Sequence, residues 1–409
     1  MKLRPHQLEK SKQLFNVLNT LNCAYLFGEV RSGKTLTALN TASLYGAKKV
    51  LVLTKKKAID SILSDYKNFG FTYDITVINY ESMHKAQGKY DLIIYDESHS
   101  LSAYPKASKR TKLAKKMYSK TPCIWMTGTP AAESYSQFYH QFYVSDYSPF
   151  KVYKNFYKWV KDFVNVKEMK LPTHTVKDYS DANVEKINKV IKPYLVKMTQ
   201  QDAGFETKIN EHILNVDTPE TIQKLCKRLL KEKALQGTNG FILGDMPAKL
   251  QSKVHQLYNG HCIIETESGK TFTKIFDTYK VNFIKKHFKG KKIAIMYYYQ
   301  AELEMLNYVL KDRLTLDLKE FNTSNKWFAL QQSSSEGMNL SHADCLVYLN
   351  LGFSGKNFIQ SRDRLTVKDR PTNEVYINCE NKGITHKILK AVREKKDFNT
   401  RAFKKEFVY

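Results

Sequence analysis

The sequence lacks paired cysteines, a long apolar run and an apolar leader. Six cysteines occur in 409 residues and none forms a C-x-x-C pair, which excludes a zinc knuckle and a thioredoxin-like motif. No apolar run approaches the roughly 20 residues of a membrane helix, and the N-terminus lacks the apolar core of a signal peptide. We therefore expect a cytoplasmic protein without membrane contact, whose cysteines are small core residues.

Acidic residues are scarce relative to basic ones. Lys and Arg total 66 against 40 Asp and Glu, and the formal net charge is +26. So many positive side chains repel one another in a compact protein, and binding of a polyanion would relieve this repulsion. Nucleic acid is the first candidate, because neutralised phosphates release counterions, and an anionic membrane surface is the second. AT-rich coding, which enriches Lys, Asn and Tyr, is the alternative explanation.

The length favours two domains with additional elements, and apolar runs indicate where they lie. In the first third, four short runs predict strands of a parallel sheet that is buried on both faces. These runs are residues 24–27, 50–53, 92–95 and 123–126. The same pattern returns after about residue 280, with strands expected at 292–297, 345–349 and 375–378 and a helix at 301–310.

The sequence thus predicts an α/β protein with a first lobe at residues 1–145, a helical and hairpin insertion at 146–280 and a second lobe at 281–409. Between residues 151 and 197, 11 Lys stand against 5 acidic residues, with aromatic residues interleaved. We expect a helix there that packs on the first lobe, and a face that contacts nucleic acid is the alternative. Further on, the pattern predicts a loop at 237–244, a helix at 250–257 and a hairpin of 261–264 with 271–275.

A glycine-rich loop follows the first predicted strand. Residues 28–35 fit G-x-x-x-x-G-K-[ST] at every fixed position. Such glycines let backbone N–H groups converge on phosphate oxygens, and the following helix presents its positive end. Lys34 can reach the β- and γ-phosphates and Thr35 can ligate Mg²⁺, so the candidate nucleotide-binding residues are Gly28, Ser32, Gly33, Lys34 and Thr35. A plain glycine turn is the alternative.

Two acids end the third apolar run of the first lobe. Asp96 is a candidate Mg²⁺ ligand, and Glu97 is a candidate to orient and polarise an attacking water, which suits hydrolysis. A pair of acids at a helix N-terminus is the alternative. The phosphate loop and the acidic pair, in this order within one α/β domain, favour nucleotide hydrolysis.

Two further segments are candidates for coupling hydrolysis to movement. Residues 127–130 read T-G-T-P at the end of the fourth run and are a candidate sensor, with a strand-end turn as the alternative. Residues 360–364 read Q-S-R-D-R and are a candidate source of positive charge for the γ-phosphate. A solvated basic helix face is the alternative for Arg362 and Arg364.

The order of these motifs resembles that of superfamily-2 helicases and translocases. The branch that looks most similar is the Swi/Snf-type ATPases, in the short form that bacteriophages carry, and the resemblance spans about residues 3–370. It implies two RecA-like lobes around an ATP cleft, with ATP and Mg²⁺ as cofactors and hydrolysis driving movement along DNA in replication, recombination or repair. The implied partner is duplex or branched DNA in preference to RNA. Replication or recombination proteins are further candidates, and we expect a monomer.

The resemblance also assigns roles to residues. It implies that Gln7 reads adenine, that Thr54 lies near the nucleic-acid backbone, and that Gly337 belongs to a G-x-N-L motif contacting nucleic acid and the hydrolysis site. It further implies that Gln360 belongs to the Q-x-x-D-R motif and that Arg364 is the arginine finger.

Two positions depart from the family pattern. The second arginine of the Q-x-x-D-R motif falls at Val367, and Arg362, Lys368 or Arg370 is the candidate replacement. Ser98 stands where the acidic box of the family has Ala. The missing second arginine keeps an ATP-regulated clamp without catalysis as an alternative. An RNA helicase, and a P-loop kinase or other small-molecule ATPase, are further alternatives.

Overall fold

A computed structural model describes residues 2–29, 31–86, 88–131, 133–170, 175–204, 208–334, 338, 340–365, 370, 372–381 and 383–394. The chain divides into two compact units, residues 1–206 and 207–409. The division falls inside the segment 146–280, so each unit carries part of it. The three-part division with boundaries at 145 and 280 stays a prediction.

Unit 1 is built on a parallel sheet of six strands. In chain order they are β1 (Cys23–Gly28), β2 (Lys49–Thr54), β3 (Asp74–Asn79), β4 (Leu92–Asp96), β5 (Cys123–Thr127) and β8 (Leu195–Met198). Between β5 and β8 the chain forms a separate antiparallel pair, β6 (Lys167–Lys170) with β7 (Thr175–Asp178). The spatial order is β3-β2-β4-β5-β1-β8, and every pair is parallel. The carboxyl ends of β4, β5 and β1 therefore lie side by side at one edge.

The helices of unit 1 connect these strands. They are α1 (Pro5–Leu21), α2 (Lys34–Leu44), α3 (Ile59–Asn68), α4 (Lys109–Tyr118), α5 (Gln137–Tyr143), α6 (Phe156–Phe163) and α7 (Val184–Ile191). Both faces of the sheet are covered because its strands are apolar on both sides. Tyr25 of β1 packs with Trp125 in an aromatic cluster, whereas Ala24 and Leu26 pack in an aliphatic cluster on the other face. All four strands predicted for this region are confirmed.

Unit 2 repeats the architecture with its own parallel sheet. The strands are β9 (Lys208–Val216), β14 (Ile293–Tyr297), β15 (Leu314–Thr315), β16 (Trp327–Gln331), β17 (Cys345–Tyr348) and β18 (Thr372–Glu380), in the spatial order β15-β16-β14-β17-β18-β9. A second, antiparallel sheet contains β10 (Ala234–Gly237), β11 (Gly240–Leu243), β12 (His261–Glu265) and β13 (Thr271–Ile275). The predicted fold class, two parallel-sheet α/β lobes, is confirmed.

The helices of unit 2 lie around both sheets. They are α8 (Glu220–Glu232), α9 (Pro247–Tyr258), α10 (Tyr279–His287), α11 (Gln300–Leu310), α12 (Leu318–Thr323), α13 (Gly355–Arg362) and α14 (Thr385–Arg393). The predicted hairpin is β12 with β13, and the predicted helices at 250–257 and 301–310 lie within α9 and α11. The loop expected at 237–244 is wrong, because Gly240–Leu243 pairs as β11 with β10. Gly237 and Gly240 pair at the ends of these strands, and Thr238 and Asn239 form the turn between them.

Buried histidines in unit 2 make its stability depend on pH. His255 and His261 are at most 1% exposed, and burial lowers their pKa values to about 3 and about 4. The unfolded chain binds protons below about pH 6.5 whereas the folded protein does not, so stability falls as pH falls. Each histidine should cost about 1.4 kcal/mol of unfolding free energy per pH unit below about 6.5.

Urea unfolding at a series of pH values between neutral and mildly acidic checks this expectation. The double variant His255→Gln, His261→Gln should flatten the pH dependence whatever its stability at neutral pH. His84→Gln removes an exposed histidine and should leave the slope unchanged. An equal slope in the double variant and the wild type would contradict the expectation.

Candidate nucleotide site

The glycine-rich loop joins β1 to α2 and depends sterically on its two glycines. Gly33 has φ +91°, and a Cβ atom there would lie 2.3 Å from Nε2 of Gln7. A Cβ atom at Gly28 would lie 2.4 Å from Cγ of Lys34. A larger residue at either position would displace a neighbouring side chain. The fixed glycines of the motif are thus explained by packing within unit 1.

The backbone of Glu29 anchors this loop to the edge of the sheet. Its N–H donates to the carbonyl of Met198 in β8 at 2.9 Å, and its carboxylate accepts from the N–H of Gln200 at 2.7 Å. Its carbonyl accepts from Ser32 Oγ and Lys34 Nζ, each at 2.9 Å. The motif leaves this position variable, so sequence reasoning missed the role of Glu29. Val30 lies outside the described residues.

The predicted adenine reader lies directly against the loop. Gln7 is buried in α1, where its Oε1 accepts from the N–H of Arg4 at 2.9 Å and its Nε2 lies over Gly33. The preceding His6 places Nε2 3.1 Å from the carbonyl of Ser32. The structure brings Gln7 to the phosphate loop, while its contact with adenine stays a prediction.

Asp96 ends β4 at the same edge of the sheet. Thr54, at the end of β2, donates from Oγ1 to Oδ2 of Asp96 at 2.6 Å. Burial raises the pKa of Asp96, the charge of Glu97 raises it further, and the Lys34 ammonium opposes them. The phosphate loop follows β1 and the acidic pair lies at the end of β4, and these two strands flank β5 in the sheet. Thr54 is fully buried and bonded to Asp96, and its position near a nucleic-acid backbone stays a prediction.

Glu97 has an unusual backbone conformation that its neighbours support. Its φ is +47°, in the left-handed region that residues other than glycine rarely adopt. Oε2 lies 3.2 Å from Nδ1 of His99 and accepts from Thr127 Oγ1 at 3.3 Å. His99 Nδ1 and Thr127 Oγ1 are 2.8 Å apart. Strained residues persist where surrounding contacts hold them, and they are common at functional sites.

Ser98, the departure in the acidic box, belongs to a buried hydrogen-bond network. Its Oγ donates to Oε1 of Gln141 at 3.0 Å and lies 3.1 Å from the hydroxyl of Tyr25. Tyr25 also donates to Oε1 of Gln141 at 2.6 Å, and Gln141 donates from Nε2 to the carbonyl of Pro130 at 2.6 Å. Gln141 thus connects β1, the acidic box and the T-G-T-P turn. The sequence signal that could have revealed it is Ser in place of Ala at position 98.

Removal of Gln141 should destabilise unit 1 more than removal of the Ser98 hydroxyl. Ser98→Ala leaves Gln141 its bond from Tyr25 and should cost about 1 kcal/mol of unfolding free energy. Gln141→Leu leaves two buried hydroxyls and a carbonyl without this partner. At about 1–3 kcal/mol for each unsatisfied group, and with some rearrangement of the neighbouring groups, the unfolding free energy should fall by about 2–4 kcal/mol. Denaturant unfolding of both variants measures the difference. Equal costs would contradict a central role for Gln141.

The predicted residues of the Q-x-x-D-R motif lie in unit 2, at the end of α13. Gln360 is 3% exposed, and its Oε1 has no hydrogen-bond partner among the residues that the structure describes. Arg364 is half-buried in the short turn Asp363–Leu365 that follows α13. Gly337, the predicted motif V glycine, lies outside the described residues. The roles of all three stay predictions.

The arginines near Val367 have other partners. Arg362 contacts Glu211 at 2.9 Å and Asp363 at 3.1 Å, so the alternative of a solvated basic face is wrong for this residue. Arg370 donates to the carbonyls of Ala343 and Ser341 at 2.8 and 3.0 Å. Two of the three candidate replacements for the second arginine therefore have partners within unit 2. Val367 and Lys368 lie outside the described residues.

Comparison with known proteins assigns the family. The family model described as the SNF2-related domain matches residues 27–291, which is more than half of the chain. The chain belongs to the SNF2-related domain family. No curated protein matches this SNF2-related chain significantly.

Solved structures agree with the fold of this SNF2-related chain. The Hef helicase domain of Pyrococcus furiosus is 14% identical with a TM-score of 0.51, over 96% of this chain and 98% of that one. The SWI2/SNF2 ATPase core of Sulfolobus solfataricus is 15% identical in complex with dsDNA and 14% identical alone, with TM-scores of 0.43 and 0.42. These two matches cover 99% and 100% of this chain and 92% and 91% of theirs. The match to the Hef helicase domain, at 14% identity and a TM-score of 0.51, indicates a shared fold alone. The expected bacteriophage form has no support in these matches.

Two further findings concern membranes and metals. Among the described residues, no helix combines the length and apolar character that crossing a membrane requires. In the same part of the chain, no three His, Cys, Asp or Glu side chains cluster as a metal site. Mg²⁺ in nucleotide sites is held by one or two carboxylates together with substrate phosphates and water. Asp96 offers one such carboxylate, and a Mg²⁺ site at Asp96 and Thr35 stays a prediction.

Proposed function

We propose that this chain is a DNA-dependent ATPase that hydrolyses ATP and translocates along DNA. The observation that carries the proposal is the convergence of the phosphate loop with Asp96 and Glu97 at the carboxyl ends of β1 and β4, which flank β5 in the sheet of unit 1. Ligands of such sheets bind at this edge. Family membership and the net charge of +26 support a polyanionic partner for the ATPase.

Each residue of the site has a chemical task in this proposal. The N–H groups at the start of α2 and the Lys34 ammonium bind the phosphates, and Lys34 leaves the carbonyl of Glu29 to do so. Asp96 and Thr35 would hold Mg²⁺, which supplies positive charge against phosphate oxygens when bound. Glu97 accepts a proton from the attacking water, with His99 and Thr127 orienting its carboxylate. Arg364 of unit 2 is proposed as the arginine finger.

ATP turnover with different nucleic acids tests the proposal. Hydrolysis is measured with Mg²⁺ and saturating single-stranded DNA, duplex DNA, branched DNA or RNA at about 0.1 M salt. We expect duplex or branched DNA to stimulate most, and stimulation by none of the four would overturn the proposal. A strand-displacement assay beside a triplex-displacement assay then separates unwinding from translocation without strand separation.

One observation favours a second candidate, an ATP-regulated clamp on nucleic acid. Arg362 and Arg370 are both bound to other groups within unit 2, and the second arginine of the family motif falls at Val367. A weakened finger would lower turnover and leave ATP and DNA binding intact. Undetectable turnover with saturating DNA and Mg²⁺, together with ATP-dependent DNA affinity, would favour the clamp.

A further inference from the structure

Two adjoining cavities form a groove on unit 1 that shares no residue with the candidate nucleotide site. They have volumes of about 360 and 210 Å³ and lie between α4, α5 and the segment 145–157. Both are lined by Tyr139, Tyr143 and Lys154. We call this feature the lysine–tyrosine groove. The larger cavity is at the lower end of the roughly 300–1,000 Å³ typical of ligand pockets.

The charge around the groove is strongly one-sided. Five lysines line it, namely Lys106, Lys112, Lys115, Lys151 and Lys154. The acidic residue of the lining is Asp146, which already contacts Lys115 at 3.3 Å and accepts from Ser119 Oγ at 2.9 Å. The other four lysines are exposed and make no ion pair within the described part of the chain. Their mutual repulsion would be relieved by a bound polyanion.

The groove also presents aromatic rings. Tyr139 is buried, stacks on Tyr143 with centroids 5.9 Å apart and contacts Phe156 edge to face at 5.6 Å, so the floor is a packed aromatic surface. Lys115 lies 4.5 Å from the ring centroid of Tyr143. Tyr157 lines the smaller cavity and is 46% exposed, so its ring is accessible from solvent. A rim of lysines beside an accessible aromatic ring is suited to a negatively charged polymer that carries planar groups able to stack.

We infer that the lysine–tyrosine groove binds single-stranded nucleic acid, with Lys151 and Lys154 on phosphates and Tyr157 against a base. Proteins that bind single strands combine a basic groove with aromatic side chains on which bases stack. A duplex hides its base faces, and an acidic peptide offers charge without planar bases, so neither uses both features. The inference rests on the proposed function, because it gives a DNA-tracking enzyme a binding site for a single-stranded flank.

The salt dependence of binding tests whether these lysines neutralise phosphates. Affinity of the full chain for a fluorescent oligo-dT strand is measured by anisotropy without ATP over a range of salt concentrations. Lys151→Ala with Lys154→Ala should make the slope of log K against log salt shallower by about 1.4, which is about 0.7 for each phosphate that is no longer neutralised. The matched control is Lys186→Ala with Lys189→Ala, which removes two exposed lysines of α7 outside the groove. This control should keep the wild-type slope.

A second variant tests the stacking. Tyr157→Ala should weaken single-strand binding about tenfold, whereas Tyr157→Phe should keep it. Thermal unfolding confirms that each variant is folded, and Lys151→Arg with Lys154→Arg should retain binding. Equal slopes in the groove and control pairs would overturn the inference. An equal decrease in duplex affinity, or tight binding of poly-glutamate through the same lysines, would also overturn it.

The outcomes separate this inference from the proposed function. If DNA stimulated hydrolysis but the groove variants bound oligo-dT as the wild type does, the inference about the groove would be overturned and the proposed ATPase function would stand. If oligo-dT binding depended on Lys151 and Lys154 but no nucleic acid stimulated ATP turnover, the inference about the groove would stand and the proposed ATPase function would be overturned.

Discussion

Lys34→Ala should reduce ATP turnover at least about 100-fold, the effect of losing a charged group that stabilises a transferring phosphoryl group. The reason is geometric as well as electrostatic. Lys34 is the first residue of α2, and its ammonium donates to the carbonyl of Glu29 in the loop. Its positive charge also counteracts the rise in the pKa of Asp96 that burial causes. DNA affinity in the absence of ATP should stay close to that of the wild type. Steady-state hydrolysis and DNA anisotropy measure the two effects.

The stem of Lys34 offers a control for packing. Its Cγ and Cδ occupy the space above Gly28, where a Cβ atom would lie 2.4 and 2.8 Å from them. Lys34→Met keeps a stem of similar length without the charge, so it should lose turnover as Lys34→Ala does while retaining more stability. Loss of DNA binding in both variants, measured without ATP, would mean that the Lys34 ammonium itself contributes to DNA affinity. Loss in Lys34→Ala alone would point to a disturbed lobe.

The parts of the site that follow directly from the order of strands along the chain could be predicted from the sequence. Apolar runs located β1, β2, β4 and β5, and parallel strands bring their carboxyl ends to one edge, so the phosphate loop and Asp96 were expected to meet. Contacts between residues distant in the chain were not predicted. Gln141 lies in a helix with no motif, yet it bonds to Tyr25, Ser98 and the carbonyl of Pro130.

The errors have local physical causes. β9 was missed because its residues alternate without a clear apolar face, and its pairing with β18 over nine residues supplies the order that its own pattern lacks. Glycines at 237 and 240 indicated a loop, although the turn between them is short enough for a hairpin.

Glu97→Gln should abolish most of the catalysis while preserving the fold of the site. The amide has the size of the carboxylate and can keep the contacts with Thr127 and His99, but it cannot accept the proton of the attacking water. General base catalysis contributes about 10²–10⁴ in rate, so kcat should fall by that factor while ATP affinity stays near its wild-type value. Hydrolysis under saturating DNA and fluorescent nucleotide binding are the two measurements.

Thr127→Val separates chemistry from orientation at the same carboxylate. It removes the hydroxyl that lies 3.3 Å from Glu97 Oε2 and 2.8 Å from His99 Nδ1, and it leaves the base itself. We expect kcat to fall about tenfold, less than in Glu97→Gln, because a loosely held base is still present. If Glu97→Gln left turnover unchanged, water activation would have to come from elsewhere. The strained backbone at Glu97, with φ +47°, would then require a different explanation.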